Sequence, residues 1–223
     1  VVGVGLRGNK QEYGPEEVNF LQSLGNLALL TIQKSLLLDE RLQKQRMEEE
    51  LNLAKNIQIG LLPDPLPEID RFDLAAINIS SRQVGGDYFD FIETPEKNHL
   101  VAIADVTGKG VPASLLMANL QSMLHALAPI DVTMSEATGS INDIIYNNTP
   151  ADKFITFFWG IISDNGTKFK YVNAGHDPPI LFRKGSDEPV LLEEGGVILG
   201  AMPTMMPYES AEIDLKPGDL IVF

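Results

Sequence analysis

The apolar positions of this chain change period along its length, and the changes mark its boundaries. From Glu16 to about Gly60 there is no proline and only Gly25 as a breaker, so the spacing predicts one continuous helix. Gly14-Pro15-Glu16-Glu17 supplies its start, with proline at an early position and acids facing the positive end of the dipole. At 1.5 Å per residue such a helix runs about 65 Å, too long for a small domain to bury alone. Met47, Leu51, Ala54, Gln58 and Leu61 alternate four and three apart, as a coiled-coil seam does, and Arg41 to Glu50 is almost entirely polar. The preferred reading is a parallel dimeric linker over residues 15–62. The alternative is an amphipathic helix lying on its own domain. Leu61-Leu62-Pro63 stops it, and Pro65 and Pro67 keep the next segment extended.

From Phe72 the period becomes that of a strand: Leu74, Ala76 and Ile77 lead to Ser80-Ser81-Arg82. His99 to Ala104 is a continuous apolar run, typical of a strand buried on both faces. Val111-Pro112 opens a helix that is apolar on most of its surface, and a second runs from about Met134 to Tyr146 with Thr133 or Ser135 as cap. Phe154 to Ile162, Phe169 to Val172, Ile180 to Phe182, Val190 to Leu192 and Leu220 to Phe223 read as strands, with Asp164-Asn165-Gly166 as a hairpin turn. Two helices among many strands predict an α+β sandwich. Upstream, Val1 to Leu6 alternates apolar residues with glycine as a strand would.

Composition narrows the chemistry. Of 223 residues, 44% are hydrophobic and 22% charged, an ordinary globular balance. A net charge of −14 argues against a nucleic-acid face and weakens any case for an anionic membrane surface. There is no cysteine, which removes disulfides and thiolate–zinc sites. His99, His125 and His176 have no metal-ligand spacing, so any metal is held mainly by oxygen, which suits Mg²⁺ or Mn²⁺. No apolar run reaches the length of a membrane span, and the chain reads as cytoplasmic.

Two acidic loops carry the candidate site. Gly85-Gly86-Asp87 and Asp105-Val106-Thr107-Gly108-Lys109-Gly110 each place a carboxylate beside glycines where a strand meets a break. Lys109 lacks the preceding glycine pattern of a P-loop, so it reads as a turn lysine. No nucleophile elbow is present, which leaves no covalent route of that kind.

Three stretches in order, Val84-Gly85-Gly86-Asp87-Tyr88-Phe89-Asp90-Phe91, Asp105 to Ala113 and Asn173-Ala174-Gly175-His176-Asp177-Pro178-Pro179, resemble the SpoIIE-like branch of the metal-dependent PPM-type serine/threonine phosphatases. The resemblance covers roughly residues 53 to 223 and implies two stacked antiparallel sheets flanked by helices over 63–223. It also implies two Mn²⁺ or Mg²⁺ ions, with Asp105 bridging both, Asp87 binding one and the Val106 carbonyl adding a ligand. Asp87 and Asp105 are therefore the expected catalytic residues, acting through a two-metal-activated water. In distant members an arginine placed like Arg82 meets the substrate phosphate; the alternative is a solvated strand-end side chain. His176 either protonates the leaving group or organises its loop. Asp90 either supports the ligands or caps a bulge. The final strand resembles one that runs into a further metal-ligand loop, so the domain is expected to be C-terminally incomplete here.

The implied substrate is a phosphorylated regulatory protein of the STAS-type anti-sigma-factor antagonist class, with a homodimer formed through the helix. Residues 1–14 resemble the end of a GAF-type sensor domain. A catalytically inactive homologue serving as a dimeric binding module is the second reading. A nucleotide cyclase is the third, and it is poor, because Tyr88 stands where its signature needs an acid.

Overall fold

The computed structural model describes Gly5, Gly8 and residues 11–80 and 82–223. The strand expected over Val1 to Leu6 lies, apart from Gly5, outside the described residues, as does Ser81. The chain divides into two units, Val1–Asn52 and Leu53–Phe223.

In the first unit the predicted long helix is present: α1 spans Pro15–Ile59 and continues into the second unit. The Glu17 carboxylate accepts from the Gly14 N–H at 2.9 Å, closing the first turn. None of its residues is buried, and Leu27, Leu30, Leu37 and Leu38 are exposed.

In the second unit the large sheet is built from β1 (Tyr88–Glu93), β2 (His99–Val106), β3 (Ile155–Ile162) and β4 (Lys168–Ala174), paired antiparallel in that order. Helix α2 (Val111–Leu127) and helix α3 (Met134–Asn148) cover one face. The predicted α3 cap is Thr133, whose hydroxyl accepts from Glu136 N while the Glu136 carboxylate returns to Thr133 N. Met117, Leu120, Leu124 and Ile141 are fully buried between helices and sheet. A second sheet, β6 (Val190–Leu191), β5 (Ile180–Phe182) and β9 (Leu220–Val222), is antiparallel, and Leu181 and Ile221 pack with Phe158 and Phe169 of the large sheet. Two layers with helices on the outer face are what the alternating strands predicted.

The structure departs from expectation in three places. The large sheet is mixed, because β7 (Gly195–Gly196) runs parallel to the end of β4, while β8 (Ala211–Asp214) pairs antiparallel with its start. Neither short strand carries an apolar run long enough to predict. Residues 73–80 form no strand, although Leu74, Ala76 and Ile77 suggested one; Ile77 is 80% exposed and Ile79 79%. Alternation meets only one condition for a strand, and no ladder partner lies beside this segment. Finally, the expected seam position Gln58 is turned toward its own domain, and Leu61 packs on the core with Leu62.

Candidate metal centre

The site forms where the edges of β1 and β2 meet the end of β4. Asp87 stands immediately before β1, and Asp105 is the penultimate residue of β2. Antiparallel pairing sets Tyr88 opposite Ala104, so the two acidic loops fall side by side. Both carboxylates are exposed, and they lie close enough to share a hydrogen bond. Burial raises the Asp105 pKa, Asp87 raises it further, and His176 and Lys109 oppose the shift.

The second support is backbone. A Cβ on Gly86 would sit 2.9 Å from the Val106 carbonyl oxygen, 3.0 Å from Val106 Cβ and 3.2 Å from Ala113 Cβ. Only a residue without a side chain lets the first loop lie on the second this closely. Gly86→Ala is therefore expected to push Val106 aside, cost about 1–3 kcal/mol of stability by overpacking, and weaken divalent-ion binding. Thermal melts with and without Mn²⁺ read both effects; an unchanged Mn²⁺-induced shift would refute the cradle.

The third loop is tied in through β3. Pairing of β2 with β3 sets Thr156 opposite Asp105, and the Thr156 hydroxyl lies 2.9 Å from His176 Nδ1. Asn173 fastens the same loop twice: its side-chain oxygen accepts from His176 N at 2.8 Å, and its amide donates to His176 O at 3.0 Å. Burial lowers the His176 pKa, against the opposing pull of Asp177 and Asp105, so the ring is neutral at pH 7. Asp87, Asp105 and His176 share one wall of a cavity of about 1260 Å³ that continues past Phe89 and Phe91 to Phe223.

The remaining expected residues divide. Arg82 is exposed, with Nη1 3.8 Å from where a Cβ on Gly110 would stand, so it reaches the second acidic loop. Lys153, which sequence reasoning did not single out, reaches the same loop at Gly108. Asp90 neither faces the carboxylate pair nor caps a bulge. It is buried on the opposite face of β1, accepts from the Tyr88 hydroxyl at 2.6 Å and from Phe91 N at 2.8 Å, and meets His125 Nε2 at 2.7 Å. It joins β1 to α2. Burial, with Asp90 adding to it, drives the Tyr88 pKa far up and keeps that hydroxyl a donor. Thr156 and Gln58 were also missed, because a threonine in mid-strand and a glutamine in a helix carry no local signal of a site.

The residues present fit a hard divalent cation. Two carboxylates face one another without an intervening cation, and a main-chain carbonyl lies against the same loop. Among the described residues no group of three His, Cys, Asp or Glu converges, so the protein offers a small oxygen set of the kind Mg²⁺ and Mn²⁺ complete with water.

Residues 95–223 match the family model described as Stage II sporulation protein E (SpoIIE). The chain belongs to the SpoIIE family. Among curated SpoIIE-type relatives it is 31% identical over 179 residues to the phosphoserine phosphatase RsbU of Bacillus subtilis (strain 168), covering 80% of this chain and 53% of RsbU. It is 25% identical over 185 residues to the phosphoserine phosphatase RsbP of the same organism, covering 81% of this chain and 45% of RsbP. The chain thus spans about half the length of these relatives. Among solved structures, the SiaA-PP2C domain of Pseudomonas aeruginosa superposes with a TM-score of 0.59 at 18% identity, covering 80% of this chain and 71% of that one. That likeness shows the fold, which in this SpoIIE member is of the PP2C type.

Proposed function

We propose that this chain is the phosphatase portion of a metal-dependent phosphoserine/phosphothreonine phosphatase acting on a regulatory protein of a sigma-factor pathway, of the STAS type. The observation that carries the reading is the apposed pair Asp87 and Asp105, lying against the Val106 carbonyl in a SpoIIE-family chain. Two divalent ions, when bound, supply a water activated at neutral pH and relief of charge on the phosphoryl oxygens. Asp105, Asp87 and the Val106 carbonyl are the groups that hold them. Arg82 sits where its planar fork orients a phosphate over the second loop. His176, neutral and fixed by Thr156, places a ring nitrogen beside the pair, where it organises its loop and holds a proton for the departing serine oxygen.

Helix α1 serves as a dimeric linker, since it leaves a long run of leucines exposed that a second copy would cover. A cytoplasmic setting suits a phosphoprotein substrate, and no helix among the described residues is long and apolar enough to cross a membrane. The test is phosphate release from p-nitrophenyl phosphate and from a phosphoserine peptide by the full-length protein, with Mn²⁺, with Mg²⁺ and after EDTA. Metal-dependent release that EDTA abolishes is expected. Absence of both hydrolysis and Mn²⁺ binding would instead favour a dimeric binding module.

A further inference from the structure

Gly85 and Gly86 have no side chains with which to anchor the loop that carries Asp87. The anchor comes from elsewhere. Gln58, in the last turn of α1 and within the second unit, accepts from Gly85 N at 3.0 Å through Oε1 and donates to Gly85 O at 2.7 Å through Nε2. The carboxamide thus pairs with both main-chain groups of one glycine, as a neighbouring strand would. Its Nε2 also lies 3.7 Å from Met117 Sδ, and Met117 is fully buried in α2. On the far side of the loop, Gly86 lies against Val106 and Ala113. The loop is held between two walls: α1 through Gln58, and the β2–α2 turn through Val106.

We infer that Gln58 is a positioning residue for the metal centre, setting through Gly85 where Asp87 stands relative to Asp105. The inference rests on the metal-dependent reading above. The coupling is two-point and partly buried, so displacement or rotation of the last turn of α1 breaks both bonds together and frees the Asp87 loop. Gln58 touches neither carboxylate; it acts only through the main chain of the loop.

The test is calorimetric titration of Mn²⁺ into the full-length protein as wild type, Gln58→Ala, Gln58→Met and Asp105→Asn. Gln58→Met keeps the side-chain length while removing both hydrogen bonds, so it separates positioning from cavity formation. Both Gln58 variants are expected to bind Mn²⁺ about tenfold more weakly. They should need correspondingly more Mn²⁺ for half-maximal hydrolysis while approaching the wild-type kcat at saturating metal. If they melt earlier without metal but bind Mn²⁺ as wild type does, Gln58 is merely structural and the inference falls alone. If the wild type itself binds no Mn²⁺, the inference falls together with the proposed function.

Discussion

Asp105→Asn is expected to abolish metal-dependent hydrolysis while raising the melting temperature of the metal-free protein. Catalysis depends on a cation placed between carboxylates, and metal stabilisation of phosphoryl charge supplies several kcal/mol. At about 1.4 kcal/mol per factor of ten, its loss lowers the rate by about 10³-fold or more. Stability moves the other way. Burial and Asp87 hold the Asp105 pKa above its unfolded value. The folded protein therefore keeps a proton that the unfolded chain releases, and stability falls as pH rises from the unfolded carboxylate value through the folded one. Above that window the full penalty is present, and removing the charge relieves it. Because Asp105 is exposed, solvent screening limits the gain to about 1 kcal/mol. The difference from wild type should shrink as pH drops below the carboxylate range. Melting curves from pH 4 to 8 in EDTA, paired with hydrolysis in Mn²⁺, check both halves. A variant that stays active, or one that is less stable at pH 8 without metal, would overturn the assignment of a repelling carboxylate pair.

Gly195→Ala carries the largest expected effect on folding. A Cβ at Gly195 would fall 1.7 Å from the Asn173 carbonyl oxygen, 2.4 Å from its carbon and 2.6 Å from its nitrogen. Those atoms are main chain, so no rotamer change clears them. They belong to the parallel bridge between β4 and β7, where Asn173 N also donates to Glu194 O at 2.8 Å. Opening that bridge displaces Asn173, which fixes His176 by two hydrogen bonds. A loss of about 3 kcal/mol or more is expected, with hydrolysis falling further than stability alone dictates. Denaturant unfolding measures the first part, and activity under fully folded conditions the second. A variant within 1 kcal/mol of wild type, on the scale of ordinary surface changes, would show that β7 is not packed as described.

Much of the architecture was legible in the sequence. Helix α1 begins at Pro15 as the Gly14-Pro15 signal predicts, α3 starts at Met134 behind its Thr133 cap, and β5 spans Ile180–Phe182 as expected. These elements declare themselves through periodicity and caps, which depend on neighbours a few residues away. The strand expected near Leu74 failed because a ladder needs a partner, and alternation cannot report whether one exists. The candidate site divides the same way. Asp87 and Asp105 were visible as carboxylates beside glycines, whereas Asp90, in the same motif as Asp87, proved to belong to the opposite face.

The sequence by itself determined the helix-then-sandwich order, an oxygen-only donor set and the acidic loops from which a metal centre can be built. Only the tertiary structure decided that Thr156 stands opposite Asp105 and holds His176, that Gly86 rests on Val106, and that Gln58 braces Gly85. The physical reason is range. Hydrophobic period and turn chemistry are written in adjacent residues, but the register between strands far apart in the chain is set by packing of the whole sheet, and it is register that brings these groups together.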